Sequence, residues 1–115
     1  MRGTKRRSHA VFALVLFVLA ALSGCGTVSS FGRKVDTAAL ESSLKMRAST
    51  KADVLALLGE PRNAGGAMLP GHDAPRELWC YYYEESTTVE AHRLFLFVFF
   101  DGDLYDGYMW FSSLP

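Results

Sequence analysis

The chain has 115 residues, half of them apolar, with 12 Lys+Arg balanced by 12 Asp+Glu, which allows one small domain. That balance excludes a disordered chain and a strongly basic nucleic-acid binder. The neutral total hides an asymmetry: Arg2, Lys5, Arg6 and Arg7 crowd the amino terminus, and no acidic residue precedes Asp36.

Behind the basic tip, Ala10–Leu22 is an uncharged apolar run of thirteen residues. It is shorter than the roughly 20 residues a helix needs to span a bilayer, and reads as the core of a secretory signal. The run ends in Leu22-Ser23-Gly24-Cys25, which resembles the lipobox of bacterial lipoproteins, where a peptidase cuts before a cysteine that becomes lipidated. Small Ser23 and Gly24 let an extended backbone enter a protease, and the Cys25 thiol is the nucleophile for a thioether to diacylglycerol. The alternative is an ordinary signal peptide or short anchor in which Cys25 is incidental. Arg6-Arg7 lacks the rest of a twin-arginine pattern, so general secretion is expected. Residues 1–24 are thus read as signal peptide, and residues 25–115 as a mature chain with 8 basic and 12 acidic side chains. At a formal −4, that chain has no polybasic attraction to membrane, so the lipid on Cys25 is the expected anchor. Cys80 is then the one remaining thiol. It cannot form an internal disulfide and is expected buried and inert, since Cys80, His72 and His92 are too few and too far apart for a zinc site.

Residues 25–35 read as a flexible tether and 36–115 as the folded domain. Asp36 is a candidate N-cap for a short helix carrying Ala39, Leu40, Leu44 and Met46. Thr50 caps a second helix with Asp53 completing a capping box, and Gly59 with Pro61 ends it. Val54, Leu57 and Leu58 give that helix one apolar face, too short to stand without a sheet beneath it. Arg62–Arg76, with Gly65-Gly66 and Pro70-Gly71, reads as a long loop. Its His72-Asp73 pair is expected to be solvated rather than catalytic.

Three strands follow, Glu77–Glu84, Ala91–Phe100 and Asp103–Ser112, the last two joined by an Asp101-Gly102 type I′ turn. With those two residues as the turn, Phe95, Phe97 and Phe99 are expected under the helices. Leu96, Val98 and Tyr105 are then left as a possible partner surface on the other face. Neither side of the middle strand is polar, so either the first helix, the Arg62–Arg76 loop or the Phe111–Pro115 tail covers the second face, or a partner does.

Thr50, Asp53-Val54, Leu58-Gly59-Glu60-Pro61, Trp79, Tyr81, Phe97, Phe99, Gly102 and Leu104 follow one another in an order that resembles the SmpA/OmlA (BamE-like) family of small outer-membrane lipoproteins. The likeness spans residues 50 to 111. It implies two short helices on a three-stranded antiparallel meander, the same α+β order that capping and periodicity indicate. One departure is Ala48, where the family usually has glycine, so the link between the helices is expected to differ. The resemblance implies a non-catalytic accessory or scaffold protein on the periplasmic face of the outer membrane, held there by its lipid and contacting other subunits of the β-barrel assembly machine. No cofactor, nucleic acid or small-molecule substrate is implied. The alternative is a lipid-anchored periplasmic protein-binding or inhibitor module. An enzyme is the least supported class, because no nucleophile–base pair, phosphate loop or carboxylate pair stands at meaningful spacing. Asp101-Gly102-Asp103 with Asp106 does not match a calcium loop.

Overall fold

The computed structural model describes His9, residues 11–15 and residues 27–115. The lipobox residues Leu22, Ser23, Gly24 and Cys25 lie outside the described residues. Residues 11–15 are helical, and no described helix is long and apolar enough to cross a membrane. The remainder is α+β: β1 (Ser29–Gly32), α1 (Thr37–Ser43), α2 (Lys51–Leu58), β2 (Asn63–Ala67), β3 (Arg76–Ser86), β4 (Ala91–Asp101) and β5 (Leu104–Ser112). All strands join one antiparallel sheet, in which β3, β4 and β5 form the expected meander.

Two strands were not expected. β1 falls in the segment read as a tether and pairs with the end of β3, from Ser29 opposite Ser86 to Gly32 opposite Tyr83. β2 falls in the segment read as a loop and pairs with the start of β3, from Asn63 opposite Cys80 to Ala67 opposite Arg76. The side chains of both strands are almost wholly exposed, so main-chain hydrogen bonds to β3 hold them where no apolar pattern does.

The helix ends follow their capping residues. The Asp36 carboxylate accepts from the Ala38 N–H at 2.9 Å, and Leu40 and Leu44 pack inward. Met46 lies beyond α1 and is exposed, contrary to its expected place on the helix stripe. At α2 the capping box is complete: Thr50 Oγ1 accepts from the Asp53 N–H, and Asp53 Oδ2 accepts from the Thr50 N–H at 2.8 Å. Between the helices Arg47 takes a positive φ of 59°, one residue before Ala48. Its N–H donates to the Tyr105 carbonyl at 2.7 Å, while the Tyr105 N–H donates to Ser49 at 2.8 Å. The link between the helices therefore lies along the start of β5 and fastens the helical layer to the sheet.

Gly59 ends α2 with φ 78° and ψ −167°, an extended mirror-image conformation in place of the left-handed helical one expected. That region is essentially reserved for glycine, and a side chain there costs about 1–3 kcal/mol. The Gly59 carbonyl also accepts from Tyr81 Oη at 2.9 Å, tying the helix end to β3. A Cβ on Gly59 would meet only the end of the Arg33 side chain, at 3.5 Å, so backbone strain is the dominant cost. Gly59→Val will lower the melting temperature by roughly 5 to 20 °C in a thermal scan; an unchanged transition would mean the strain is absent.

The core is formed by Val35, Leu40, Leu44, Val54 and Leu58 from the helical side, and by Trp79, Tyr81, Tyr83, Leu94, Leu96, Val98, Phe100 and Tyr105 from the sheet. Leu96 and Val98 are 0% exposed and Tyr105 is 3% exposed, which removes all three from the surface on which a partner was expected. Phe95, Phe97 and Phe99, expected under the helices, point the other way. The cause is cross-strand pairing. Trp79 stands opposite Val98 and Tyr81 opposite Leu96, and directly opposed residues of an antiparallel pair share a face. Once Trp79 and Tyr81 lie beneath the helices, the even-numbered residues of β4 lie there too.

The β4–β5 connection also differs from expectation. Asp101 pairs with Leu104, so the turn residues are Gly102-Asp103; φ is positive only at Gly102 (59°), the pattern of a type II′ turn rather than type I′. Farther on, Asp106 and Gly107 together oppose Phe99, a bulge in which Gly107 takes φ 110°. The extra residue flips the rest of β5. Tyr108 and Trp110 turn to the helix side, and Met109 and Phe111 turn to the outer face.

Candidate functional site: an aromatic sheet face

Opposite the helices, the sheet carries Leu78, Cys80, Tyr82 and Glu84 from β3; Arg93, Phe95, Phe97 and Phe99 from β4; Met109 and Phe111 from β5; and Phe31 from β1. The first helix and the end of the tail, two of the segments expected to cover a second apolar face, do not cover this one. Both helices lie on the core side, β2 lies in the plane of the sheet, and Leu114 of the tail packs against the core. Phe95 is 38% exposed, Met109 43%, Phe31 50% and Phe111 58%, values that place large apolar groups in water across three strands. Fully exposing such a side chain forgoes about 1.5–3 kcal/mol of burial, so a contiguous group of them marks a surface meant to be covered.

The rings are ordered against one another. Tyr82 and Phe95 have centroids 5.0 Å apart and tilted planes, Phe31 follows Tyr82 at 6.3 Å, and the Arg62 guanidinium lies over Phe31 at 4.6 Å. These contacts fix the apolar centre without burying it.

Charged groups border it at both ends. At one end Arg93 donates to Glu84 at 2.9 Å, and the Tyr82 hydroxyl donates to the same carboxylate. These bonds, from Tyr82 first and then Arg93, hold Glu84 below the usual carboxylate range. At the other end Arg76 binds Asp101 at 2.9 Å and Asp106 at 3.4 Å, with Arg47 3.6 Å from Asp106. The Arg76 hydrogen bond holds Asp101 below its ordinary value. Asp101 and Asp106 are thus neutralised by arginine, which accounts for the acidic turn without a cation. An apolar centre with paired charges at its rim is the anatomy of a protein-docking surface.

Cys80 is a half-buried free thiol on this face rather than in the core, and burial raises its pKa, which keeps it protonated and weakly nucleophilic. His72 sits in an exposed turn with Nδ1 3.2 Å from the Pro70 carbonyl, whereas His92 lies between Glu90 and the Ser113 carbonyl. Among the described residues no three His, Cys, Asp or Glu side chains stand close enough to hold a metal.

The family-motif positions divide by role. Thr50, Val54, Leu58, Gly59 and Pro61 form and end α2; Trp79 and Tyr81 are core; Gly102 is in the turn; and Leu104, half exposed, bridges to Thr50. Phe97 and Phe99 belong to the outer face, half-buried by their neighbours. Sequence reasoning missed Phe31, Tyr82 and Phe111 as members of this face. The lone Phe31 in an otherwise small and polar segment was the available signal.

The chain matches no family model, no curated protein and no solved structure.

Proposed function

We propose that the protein is a non-catalytic lipoprotein of the outer membrane, anchored through a lipid on Cys25, that serves as an accessory scaffold subunit in β-barrel assembly. The open aromatic face carries this reading: a small domain that leaves Phe31, Phe95, Met109 and Phe111 exposed beside rigid ion pairs is built to be covered by a partner. The lipobox-like Leu22-Ser23-Gly24-Cys25 supports the anchor. The order of caps and hairpin residues between 50 and 111 supports the kinship with small outer-membrane lipoproteins. Gly26 after the cysteine is not the aspartate that retains lipoproteins in the inner membrane, which favours the outer one.

Two measurements test it. Cys25→Ala in the full chain will abolish incorporation of labelled fatty acid and leave the precursor uncleaved; labelling equal to wild type would overturn the anchor. Phe95→Asp will reduce capture of β-barrel assembly subunits by the tagged protein at least tenfold, with an unchanged circular dichroism spectrum, since a charge is tolerated on an open face. Undiminished capture would overturn the docking face, and capture of an unrelated soluble protein in place of those subunits would overturn the scaffold assignment.

A further inference from the structure

The two edges of the sheet are finished differently. The outer edge of β3 is covered by β2 over residues 76–80 and by β1 over residues 83–86. The outer edge of β5 is covered only at its start, where Arg47, Ser49 and Lys51 bond the main chain of Tyr105 and Asp103. After the Asp106–Gly107 bulge, β5 pairs with β4 alone among the described residues. Ser113 N–H donates inward to the Arg93 carbonyl at 2.9 Å, so the alternation of an antiparallel ladder directs the N–H and C=O of Tyr108, Trp110 and Ser112 outward.

Exposed edges are ordinarily protected by lysine, proline or an inward charge. Here Gly107–Leu114 contains no acidic or basic side chain and no proline, while Met109, Trp110 and Phe111 are all exposed. From this we infer that β5 pairs antiparallel with β5 of a second copy about a two-fold axis through Trp110.

The occupant follows from symmetry and charge. The outward-facing residues 108, 110 and 112 are centred on Trp110, so the strand is complementary to its own image. Trp110 meets Trp110 of the second copy, and Tyr108 meets its Ser112, each as a mutually hydrogen-bonded pair. Met109 falls opposite Phe111, thioether against ring, on the outer face. With no ionised side chain on the strand itself, like charges do not meet across the axis. On the helix side, Trp110 borders an open cleft of about 650 Å³, lined by Val35, Leu94 and Leu114 together with Lys34 and Asp36, which leaves room for the paired indoles. The two five-stranded sheets become one, and both aromatic faces lie on the same side of it. This pairing does not rest on the scaffold assignment: it is carried by the main chain of Tyr108, Trp110 and Ser112, and only Met109 and Phe111 are shared with the aromatic face.

Single-cysteine crosslinking of the full chain in detergent, with Cys25 and Cys80 replaced by serine, tests the register. Residues paired on the axis have Cα atoms about 5.5 Å apart, within disulfide reach, whereas Tyr108 lies roughly 14 to 15 Å from its own copy. Trp110→Cys will give a disulfide dimer on oxidation. Tyr108→Cys and Ser112→Cys will each form no disulfide alone and will crosslink when mixed. That mixture retains Trp110, so it decides the matter even where Trp110→Cys fails to fold. Absence of crosslinking in the mixture, equal self-crosslinking at all three positions, or capture of a different protein at these cysteines would overturn the pairing.

Discussion

Leu96→Asp will leave the domain unfolded, whereas Phe95→Asp, one residue away, will leave it folded. Leu96 is completely buried at the centre of β4, between the helices and Tyr81. Removing its side chain forfeits about 2–3 kcal/mol of burial, and an unpaired carboxylate there adds several more even if it takes up a proton. A folded segment of roughly 90 residues is stabilised by about 5–13 kcal/mol, so the combined loss is of the same size as the whole. Phe95 is on the opposite side of the pleat, 38% exposed, where a carboxylate keeps its water and stands near Arg93. Far-ultraviolet circular dichroism and the dispersion of amide resonances will report the contrast. A folded Leu96→Asp protein beside an unfolded Phe95→Asp protein would show that the faces of β4 are reversed.

Which face of β4 is core was the part of the fold that apolar patterning did not decide. Leu94, Leu96, Val98 and Phe100 alternate with Phe95, Phe97 and Phe99, and either set satisfies a period of two. The decision lay in the β3–β4 connection. Its four residues Thr87–Glu90 place Ser86 opposite Ala91, and an even-length turn sets odd-numbered residues of β3 against even-numbered residues of β4. Trp79 and Tyr81, positions that carry the family resemblance, lie beneath the helices, and together with that parity they send Leu96 and Val98 inward. The bulge at Gly107 was harder to read, because one extra residue in β5 leaves no trace in composition yet reverses the orientation of everything from Tyr108 onward.

Both helices were legible because their ends are written in side-chain chemistry. Asp36, Thr50 and Asp53 accept from main-chain N–H groups within a few residues of themselves, so a local reading suffices. β1 and β2 were not legible for the converse reason. Their partners are nine or more residues distant, and Ser29-Ser30-Phe31-Gly32 and Asn63-Ala64-Gly65-Gly66-Ala67 owe their place to the unpaired edge of β3. An exposed apolar face was one of two outcomes anticipated from an unpolarised strand, and its members were mistaken because face identity depends on long-range register. The edge of β5 became visible only once the sheet order placed β1 and β2 together on the opposite side.

Trp79→Ala will cost about 3–5 kcal/mol, the range for deleting a buried aromatic side chain, and will lower the melting temperature by roughly 15–30 °C. Trp79 is 9% exposed and packs its ring against Phe100 with centroids 4.6 Å apart. Its Nε1 donates to Glu77 at 3.3 Å, and Glu77 in turn accepts from Lys51 Nζ at 2.6 Å. The Lys51 hydrogen bond, more than the indole, holds Glu77 below its ordinary carboxylate range. One side chain thus joins the sheet interior to the first turn of α2. Trp79→Phe separates the contributions: it keeps most of the contact with Phe100 and loses the indole hydrogen bond, which is partly solvated, so about 1–2 kcal/mol of the loss should remain. Thermal and urea unfolding of the two variants will show whether the cost follows ring volume. Equal destabilisation by alanine and phenylalanine would place the weight on the Trp79–Glu77–Lys51 chain, and indifference to both would mean that Trp79 does not fill the space between β3 and α2.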